Sequence, residues 1–288
     1  MPNNLMCETP KSLDATHQPV VICVDTSASM FEDAGNGMTK IKMVENMINS
    51  LANLSGLSET EKNAVDICVL QFNDMVGTVV DWKPLSSFNG GVVLEAGGCT
   101  ALGSAIFAAR DKVRERRYAY NNQNVACRRA QIFVYTDGFS TENLDAIYAE
   151  SQRYFNRTEP APSAKLNLIT IPTYYEGQMI SLTNEVCIKE YKEMVNGFGR
   201  AVAFIDAQDC INGIPASFKF MADSIVSWSQ SAPGDTVKTD LSSDSLRAVN
   251  NHGGITKDSN GNRVAIDEDP KNCSLNKMEV NLKRIENL

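Results

Sequence analysis

Short apolar segments that alternate with helical segments are the feature that most limits how this chain can fold. Residues 19–25 and 130–136 are largely apolar, as is typical of central parallel strands, because both faces of such strands are covered. Residues 40–54 and 102–118 instead repeat apolar side chains at the period of a helix. Strands that alternate with helices in this way predict a mostly parallel sheet with helices on both faces.

The order of these segments predicts one α/β, doubly wound domain over residues 18–231. Residues 76–82 follow the strand-like segment 65–72 after a very short connection. Parallel strands need a long crossover, so we expect one short antiparallel edge strand here. The remaining predicted elements of this domain are helices at 143–155, 181–194 and 214–229 and strands at 166–171 and 201–206.

The two ends of the chain differ in composition from this central part. Residues 1–17 are polar and contain prolines, which predicts a flexible N-terminal arm. Residues 232–288 form a polar extension that has too few large apolar side chains to fold alone. Within the extension, Asn260-Gly261 predicts the turn of a hairpin, and residues 274–288 predict a short helix. We expect this extension to dock on the main domain.

Charge and composition exclude several functional classes. Lys and Arg total 27 against 35 Asp and Glu, which leaves a formal net charge of -8. We therefore expect no nucleic-acid partner, since binding of that kind depends on basic residues that neutralise phosphates. No segment approaches the roughly 20 apolar residues that span a bilayer, and no secretory signal is evident. The cysteines lack metal-site or disulfide spacing, so we expect a cytoplasmic protein without membrane contact.

Oxygen-bearing side chains follow two of the predicted strands. Asp25, Ser27 and Ser29 come directly after the first strand, and Asp137, followed by Gly138, ends another. Ligands of open α/β sheets bind outside the carboxyl ends of the strands. Carboxylates and hydroxyls are hard oxygen ligands that suit Mg²⁺ or Mn²⁺. A helix-capping turn is the alternative interpretation of the first segment.

A glycine-rich loop adds a third hydroxyl to these candidates. Gly97-Gly98 precedes Thr100, and a predicted helix follows at once, so Thr100 can reach across the end of the sheet. If Asp137 merely capped the helix at 143–155, this loop would have no explanation. The three segments together predict one metal site.

These segments resemble the von Willebrand factor A (vWA) domain, a Rossmann-like fold. The patterns are D-x-S-x-S at 25–29, G-G-x-T-x-L-G at 97–103 and T-D-G at 136–138. In that family they form the metal-ion-dependent adhesion site, and here they occur in the family's order and at similar separations. The resemblance covers about residues 18–231.

The resemblance implies a ligand set and a partner. Ser27, Ser29 and Thr100 would bind Mg²⁺ or Mn²⁺ directly, and Asp25 and Asp137 would bind it directly or through water. The ion would then accept an acidic side chain from a partner protein. Such a chain is a non-catalytic interaction or scaffold module.

One loop narrows the resemblance within the family. Residues 100–106 read T-x-L-G-x-A-I, which is most similar to short bacterial intracellular members of the TerY type. The resemblance implies a scaffold role in a bacterial stress or metal-resistance complex.

Enzyme classes find little support in the sequence. The chain has two histidines, His17 and His252, and both lie in polar segments that we expect to be peripheral, so a catalytic base is missing. The nucleotide-binding glycine motifs are absent. An aspartyl-phosphate phosphatase would need a second acid at the position of Ser27. The alternatives that stay open are a self-assembling structural subunit with a stabilising ion and a metal-dependent phosphoester hydrolase.

Charged residues near these segments either take part in binding or are simply solvated. Glu32 and Asp33 could reach the metal site, and so could the extension acids Asp267, Glu268 or Asp269 as an internal ligand. We favour solvated side chains for all five. A group of arginines forms either a partner surface or, as we favour, a solvated helix face with a loop: Arg114, Arg116, Arg117, Arg128 and Arg129.

Overall fold

The computed structural model describes most of the predicted domain. The described residues are 8–138, 140–143, 146, 164–175, 178–180, 202–232, 236–248, 255–257, 259–261 and 263–268. The predicted helices at 181–194 and 274–288, most of the helix at 143–155, and His252 lie outside them.

Strands and helices alternate along the described residues. The strands are β1 (Gln18–Asp25), β2 (Val65–Phe72), β3 (Val76–Pro84), β4 (Ala130–Thr136), β5 (Ala164–Thr170), β6 (Thr173–Tyr175), β7 (Gln178–Ile180), β8 (Val202–Ala207), β9 (Thr236–Asp240), β10 (Leu246–Ala248), β11 (Ile255–Lys257) and β12 (Arg263–Glu268). The α-helices are α1 (Lys40–Ser50), α2 (Glu59–Ala64), α3 (Leu102–Asn122) and α4 (Cys210–Gln230). None of these helices is long and apolar enough to cross a membrane.

A seven-stranded sheet has the order β10-β8-β5-β4-β1-β2-β3. The five inner strands are parallel, while β3 pairs antiparallel with β2 and β10 pairs antiparallel with β8. The order runs outward from β1 in both directions, so the predicted doubly wound α/β fold is confirmed. The structure adds a second antiparallel edge, because β10 comes from the predicted extension.

The central strand β1 divides the core into two layers. All of its residues are buried, and successive side chains point to opposite faces. Val20 and Ile22 pack in the layer that contains α1 and α4. Val21 and Cys23 pack in the layer that contains α3. This two-sided burial explains why the segment between Gln18 and Asp25 is apolar, and it leaves Asp25 at the strand's carboxyl end.

The N-terminal segment is attached to the domain. We predicted a flexible arm at 1–17, but its described part is held by hydrogen bonds. The Glu8 N–H donates to the Trp82 carbonyl at 2.8 Å, and Arg116 Nη1 donates to the Glu8 carbonyl at 2.6 Å. His17, which we expected to be peripheral, has no exposed surface. The reason is the buried carboxylate of Asp66, which lies 2.8 Å from its ring.

The described part of the extension continues the fold. Strands β11, β12 and β9 form a separate three-stranded antiparallel sheet, with Gly261 at a positive φ in the β11–β12 turn. Ser224 of α4 donates a hydrogen bond to Thr239 of β9 at 3.1 Å, which holds this sheet against the domain. Asp267 and Glu268 lie in β12, and Asp269 lies outside the described residues.

Candidate metal centre

The carboxyl ends of β1 and β4 bring two buried aspartates together. These strands are parallel neighbours with Val24 opposite Tyr135, so Asp25 and Asp137 emerge at the same edge. Both side chains are fully buried. Thr136 Oγ1 donates to Asp25 Oδ2 at 2.5 Å, and the Ser27 N–H donates to Asp25 Oδ1 at 2.7 Å. Asp25 is therefore fixed from both strands.

The two serines connect these aspartates. A short 3-10 helix, Ala28–Phe31, follows β1 and turns both hydroxyls to one side. Ser27 Oγ lies 3.2 Å from Ser29 Oγ, and Ser29 Oγ donates to Asp137 Oδ1 at 2.7 Å. A continuous line of polar oxygens thus runs from β1 to the end of β4.

Thr100 reaches the same cluster from the glycine-rich loop. A methyl group added at Gly138 would lie 3.1 Å from Thr100 Oγ1 and 3.8 Å from Asp25 Oδ2. Glycine at this position therefore leaves the space that the threonine hydroxyl occupies. Thr100 is 5% exposed, and its hydroxyl has no hydrogen-bond partner among the described residues. The structure thus brings all five predicted ligands to one place.

The segment after β4 fixes the loop that carries Thr100. The Thr141 N–H donates to the Thr100 carbonyl at 2.9 Å, and the Thr100 N–H donates to Thr141 Oγ1 at 3.1 Å. Glu142 accepts the N–H of Gly103 at 2.6 Å and that of Ser104 at 3.1 Å. A carboxylate at a helix N-terminus satisfies free backbone donors and complements the helix dipole. The start of α3 and the glycine-rich loop are consequently tied to the T-D-G segment.

A buried lysine, which our sequence reasoning missed, also belongs to the cluster. Lys40 begins α1 and has no exposed surface. Its Nζ donates to Asp137 Oδ2 at 2.6 Å, to Glu32 Oε2 at 2.7 Å and to Thr173 Oγ1 at 3.2 Å. The Glu32 side chain is 39% exposed, so it is partly solvated as predicted, but Lys40 also draws its carboxylate toward the site. Asp33 is exposed and accepts backbone N–H groups of its own loop.

Burial dominates the electrostatics of this cluster. It raises the pKa of Asp25 to about 6, with a smaller contribution from Asp137, against hydrogen bonds from Thr136 and Ser27. Burial also raises the pKa of Asp137, although Lys40 acts in the opposite direction. Burial would lower the pKa of Lys40, but Asp137 and Glu32 outweigh it and hold that pKa above its usual value. With the carboxylates of Asp25, Asp137 and Glu32 ionised and one ammonium group, from Lys40, the cluster carries a net negative charge.

The residues present fit a hard divalent cation better than a soft one. Two carboxylates and three hydroxyls converge, and the unbonded Thr100 hydroxyl has an oxygen to offer. No group of three or more His, Cys, Asp or Glu side chains arranged for a metal ion occurs among the described residues. Any ion here would therefore depend on the serine and threonine hydroxyls, which are ligands for Mg²⁺ or Mn²⁺ rather than for zinc.

A second buried polar cluster lies at the opposite end of β2, far along the sheet from the candidate metal centre. Asp66 lies 2.8 Å from His17 Nδ1 and 2.9 Å from Arg116 Nη2, and it accepts the Tyr120 hydroxyl. All four side chains are buried. The prediction of solvated arginines was thus wrong for Arg116, and also for Arg128, which is 7% exposed.

Comparison with protein families agrees with this arrangement. Residues 20–139 match the family described as von Willebrand factor type A domain. This part of the chain is therefore similar to a vWA domain. The match includes all five candidate ligands as well as Lys40, so the whole candidate centre lies inside it. Comparison with curated proteins finds no match.

Solved structures resemble this chain at low sequence identity. The D319A mutant of the PilB minor pilin from Streptococcus sanguinis is 11% identical, with a TM-score of 0.52 over 73% of this chain and 62% of the pilin chain. The ArnB paralog VWA2 from Sulfolobus acidocaldarius is 14% identical, with a TM-score of 0.44 over 88% of this chain and 57% of that one. At such identities the pilin match establishes the fold alone. This chain spans 62% of the pilin's length.

Proposed function

We propose that this chain is a non-catalytic protein–protein interaction module that binds an acidic side chain of a partner through Mg²⁺ or Mn²⁺. The observation that carries the proposal is the convergence of five oxygen ligands at one end of a vWA sheet. Interaction with other proteins is the common role of vWA domains, which supports the same conclusion. The residues that would hold the ion are Asp25, Ser27, Ser29, Thr100 and Asp137.

The donor set supports partner binding rather than a closed structural ion site. Mg²⁺ requires nearly octahedral oxygen coordination and often keeps positions for water or an added ligand. Hydroxyl ligands bring no charge of their own, so an ion held by them retains electrophilic character toward an incoming carboxylate. The ion would supply that Lewis acidity, while Asp25, Asp137 and the loop contacts hold the hydroxyls in place.

The position of the described histidine supports a non-catalytic role. His17 is buried in the Asp66 cluster at the opposite end of the sheet, so it cannot serve as a base at the candidate centre. As part of the proposal, the T-x-L-G-x-A-I loop at 100–106 favours a cytoplasmic bacterial scaffold of the TerY type in a stress or metal-resistance complex. This assignment to a bacterial scaffold depends on the loop resemblance alone.

The test is the change Thr100→Val, which removes one ligand and keeps the shape of the side chain. Because this hydroxyl makes no hydrogen bond among the described residues, the variant should be about as stable as the parent chain. Mg²⁺ and Mn²⁺ affinity should nevertheless fall by at least about tenfold, the order of loss expected when a metal site is disturbed. Isothermal titration into chelator-stripped protein measures both affinities.

Thr78→Val supplies the matched control. Thr78 lies in the edge strand β3, so the same chemical change there should leave ion binding unaltered. Equal ion affinity for the Thr100 variant and the parent chain would contradict the proposed ligand set. Metal-dependent capture of acidic peptides, lost with Thr100→Val, would extend the result to the partner; self-association that follows the ion instead would favour a structural subunit.

A further inference from the structure

Lys40 places a permanent positive charge inside the candidate metal centre. Its ammonium group is completely buried and is bonded to Asp137, Glu32 and Thr173. These partners come from three separate parts of the chain: the T-D-G segment, the loop after β1, and β6. A lysine that merely began a surface helix would be solvated.

We propose that Lys40 is a built-in counter-ion that keeps this centre folded without a divalent ion and weakens the binding of one. The inference rests on the proposed function, since it concerns the same ion. It assigns to this lysine the control of ion affinity, and hence of how strongly ion binding depends on the partner.

The two carboxylate oxygens of Asp137 have different partners, and this shows how the charge of Lys40 affects an ion at the site. Oδ1 accepts the Ser29 hydroxyl at 2.7 Å, and Oδ2 accepts Lys40 Nζ at 2.6 Å. The carboxylate is thereby held with Oδ1 toward the hydroxyl ligands, while its charge is already balanced through Oδ2. An ion bound by the hydroxyls meets a carboxylate that an ammonium group has partly neutralised.

Repulsion between Lys40 and a divalent ion also weakens ion binding. Like charges a few ångströms apart interact strongly where water is excluded, since the effective dielectric constant there is far below that of water. Lys40 bonds directly to Asp137, one of the candidate ligands, so it repels any divalent ion that they hold. In exchange, it prevents Asp137 from remaining buried as an uncompensated charge, a condition that strongly destabilises folded proteins.

A weakened ion site has a consequence for recognition. If the protein's own ligands hold Mg²⁺ loosely, a partner carboxylate that completes the coordination contributes a larger share of the ion's total binding. Ion and partner would then bind together, each raising the affinity for the other. Lys40 would set the strength of that coupling.

The test compares Lys40→Gln and Lys40→Met with Lys42→Gln. Glutamine retains a hydrogen-bond donor for Asp137 and removes the charge, while methionine removes both. Lys42 lies on the same helix and is 53% exposed, and its partner Glu45 is 5% exposed. Its change therefore controls for the loss of a lysine charge outside the candidate centre and should leave ion affinity unaltered. Thermal unfolding and isothermal titration are measured with EDTA, Mg²⁺ and Mn²⁺.

We expect Mg²⁺ to bind the Lys40→Gln chain at least tenfold more tightly than the parent, a change that corresponds to about 1.4 kcal/mol. Both Lys40 variants should unfold at lower temperature in EDTA and recover most of the loss with the ion. The parent chain should be folded in EDTA and gain only a few degrees with Mg²⁺. Folding of either variant only in the presence of the ion would also support the inference.

The opposite results separate this inference from the proposed function. If Mg²⁺ binds the parent and the Lys40→Gln chain equally, or the variant more weakly, the role of Lys40 is refuted and the ion site stands. If neither chain binds Mg²⁺ or Mn²⁺ at any concentration tested, the proposed ion site falls together with the inference. A parent chain that is unfolded in EDTA would refute the counter-ion role by itself, whether or not the variants fold.

Discussion

Replacement of Asp66 by asparagine should lower the free energy of unfolding by about 3–5 kcal/mol, the loss typical when a buried ion pair is broken from one side. Asp66 accepts the Tyr120 hydroxyl and lies 2.8 Å from His17 Nδ1 and 2.9 Å from Arg116 Nη2. Arg116 also lies over the rings of Trp82 and Tyr120, at 5.7 and 5.3 Å. The neutral side chain removes the negative charge that this buried guanidinium faces.

Chemical denaturation measures this loss, and Asp111→Asn is its control. Asp111 pairs with Arg114 on the surface of α3, where both side chains are about half exposed. That change should cost no more than about 1 kcal/mol, because water screens exposed pairs. If the Asp66 variant is as stable as the Asp111 variant, the cluster does not hold residues 8–17 and α3 to the sheet. Ion binding at the opposite end should be equal in both.

Replacement of Asp25 by asparagine should abolish Mg²⁺ binding and yet leave the metal-free chain as stable as before, or more stable. Burial raises the pKa of Asp25 to about 6, so at pH 7 the folded chain carries a charge that it holds at a cost. The difference between a pKa of about 6 and the ordinary 3.8 means that the charge on Asp25 lowers the free energy of unfolding by about 3 kcal/mol at most. Asparagine keeps an acceptor for the Ser27 N–H and lacks the charge.

The stability difference between the metal-free parent and the Asp25→Asn variant should depend on pH. Because the pKa of Asp25 is higher in the folded than in the unfolded chain, its contribution to stability is fully present below about 3.8 and is lost as the pH rises through about 6. The metal-free parent should therefore gain stability relative to the Asp25→Asn variant as the pH falls from 7 to 4. Denaturation at several pH values in EDTA measures the difference. A difference that does not change with pH, or a variant that still binds Mg²⁺, would contradict this account.

Strand positions and the meeting of the predicted ligands follow from simple rules. β2 and β4 occupy the residues predicted for them, because strands covered on both faces are mostly apolar, even though β2 also carries the buried Asp66. Asp25 and Asp137 meet because parallel neighbouring strands end at one edge of a sheet. The helix α2 was not predicted, although Ser58 and Glu61 form a readable capping box.

The buried charges had no local signal in the sequence. Lys40 stands at the start of a helix, where lysine is ordinarily exposed, and its burial depends on Glu32 and Asp137, which are distant in sequence from each other. Arg116 resembles the neighbouring arginines of α3, and only the position of Asp66 on β2 distinguishes it. Burial of this kind is decided by partners that the fold brings together.

The pairing of β10 with β8 determines where the chain can be cut. A fragment that stops at residue 231 would lack β10, and the backbone N–H and C=O groups of β8 that β10 binds would become an open edge. Open edges pair readily with other chains and lead to aggregation. The smallest fragment suitable for expression and crystallisation therefore extends at least through Ala248, well beyond the segment that matches the vWA family.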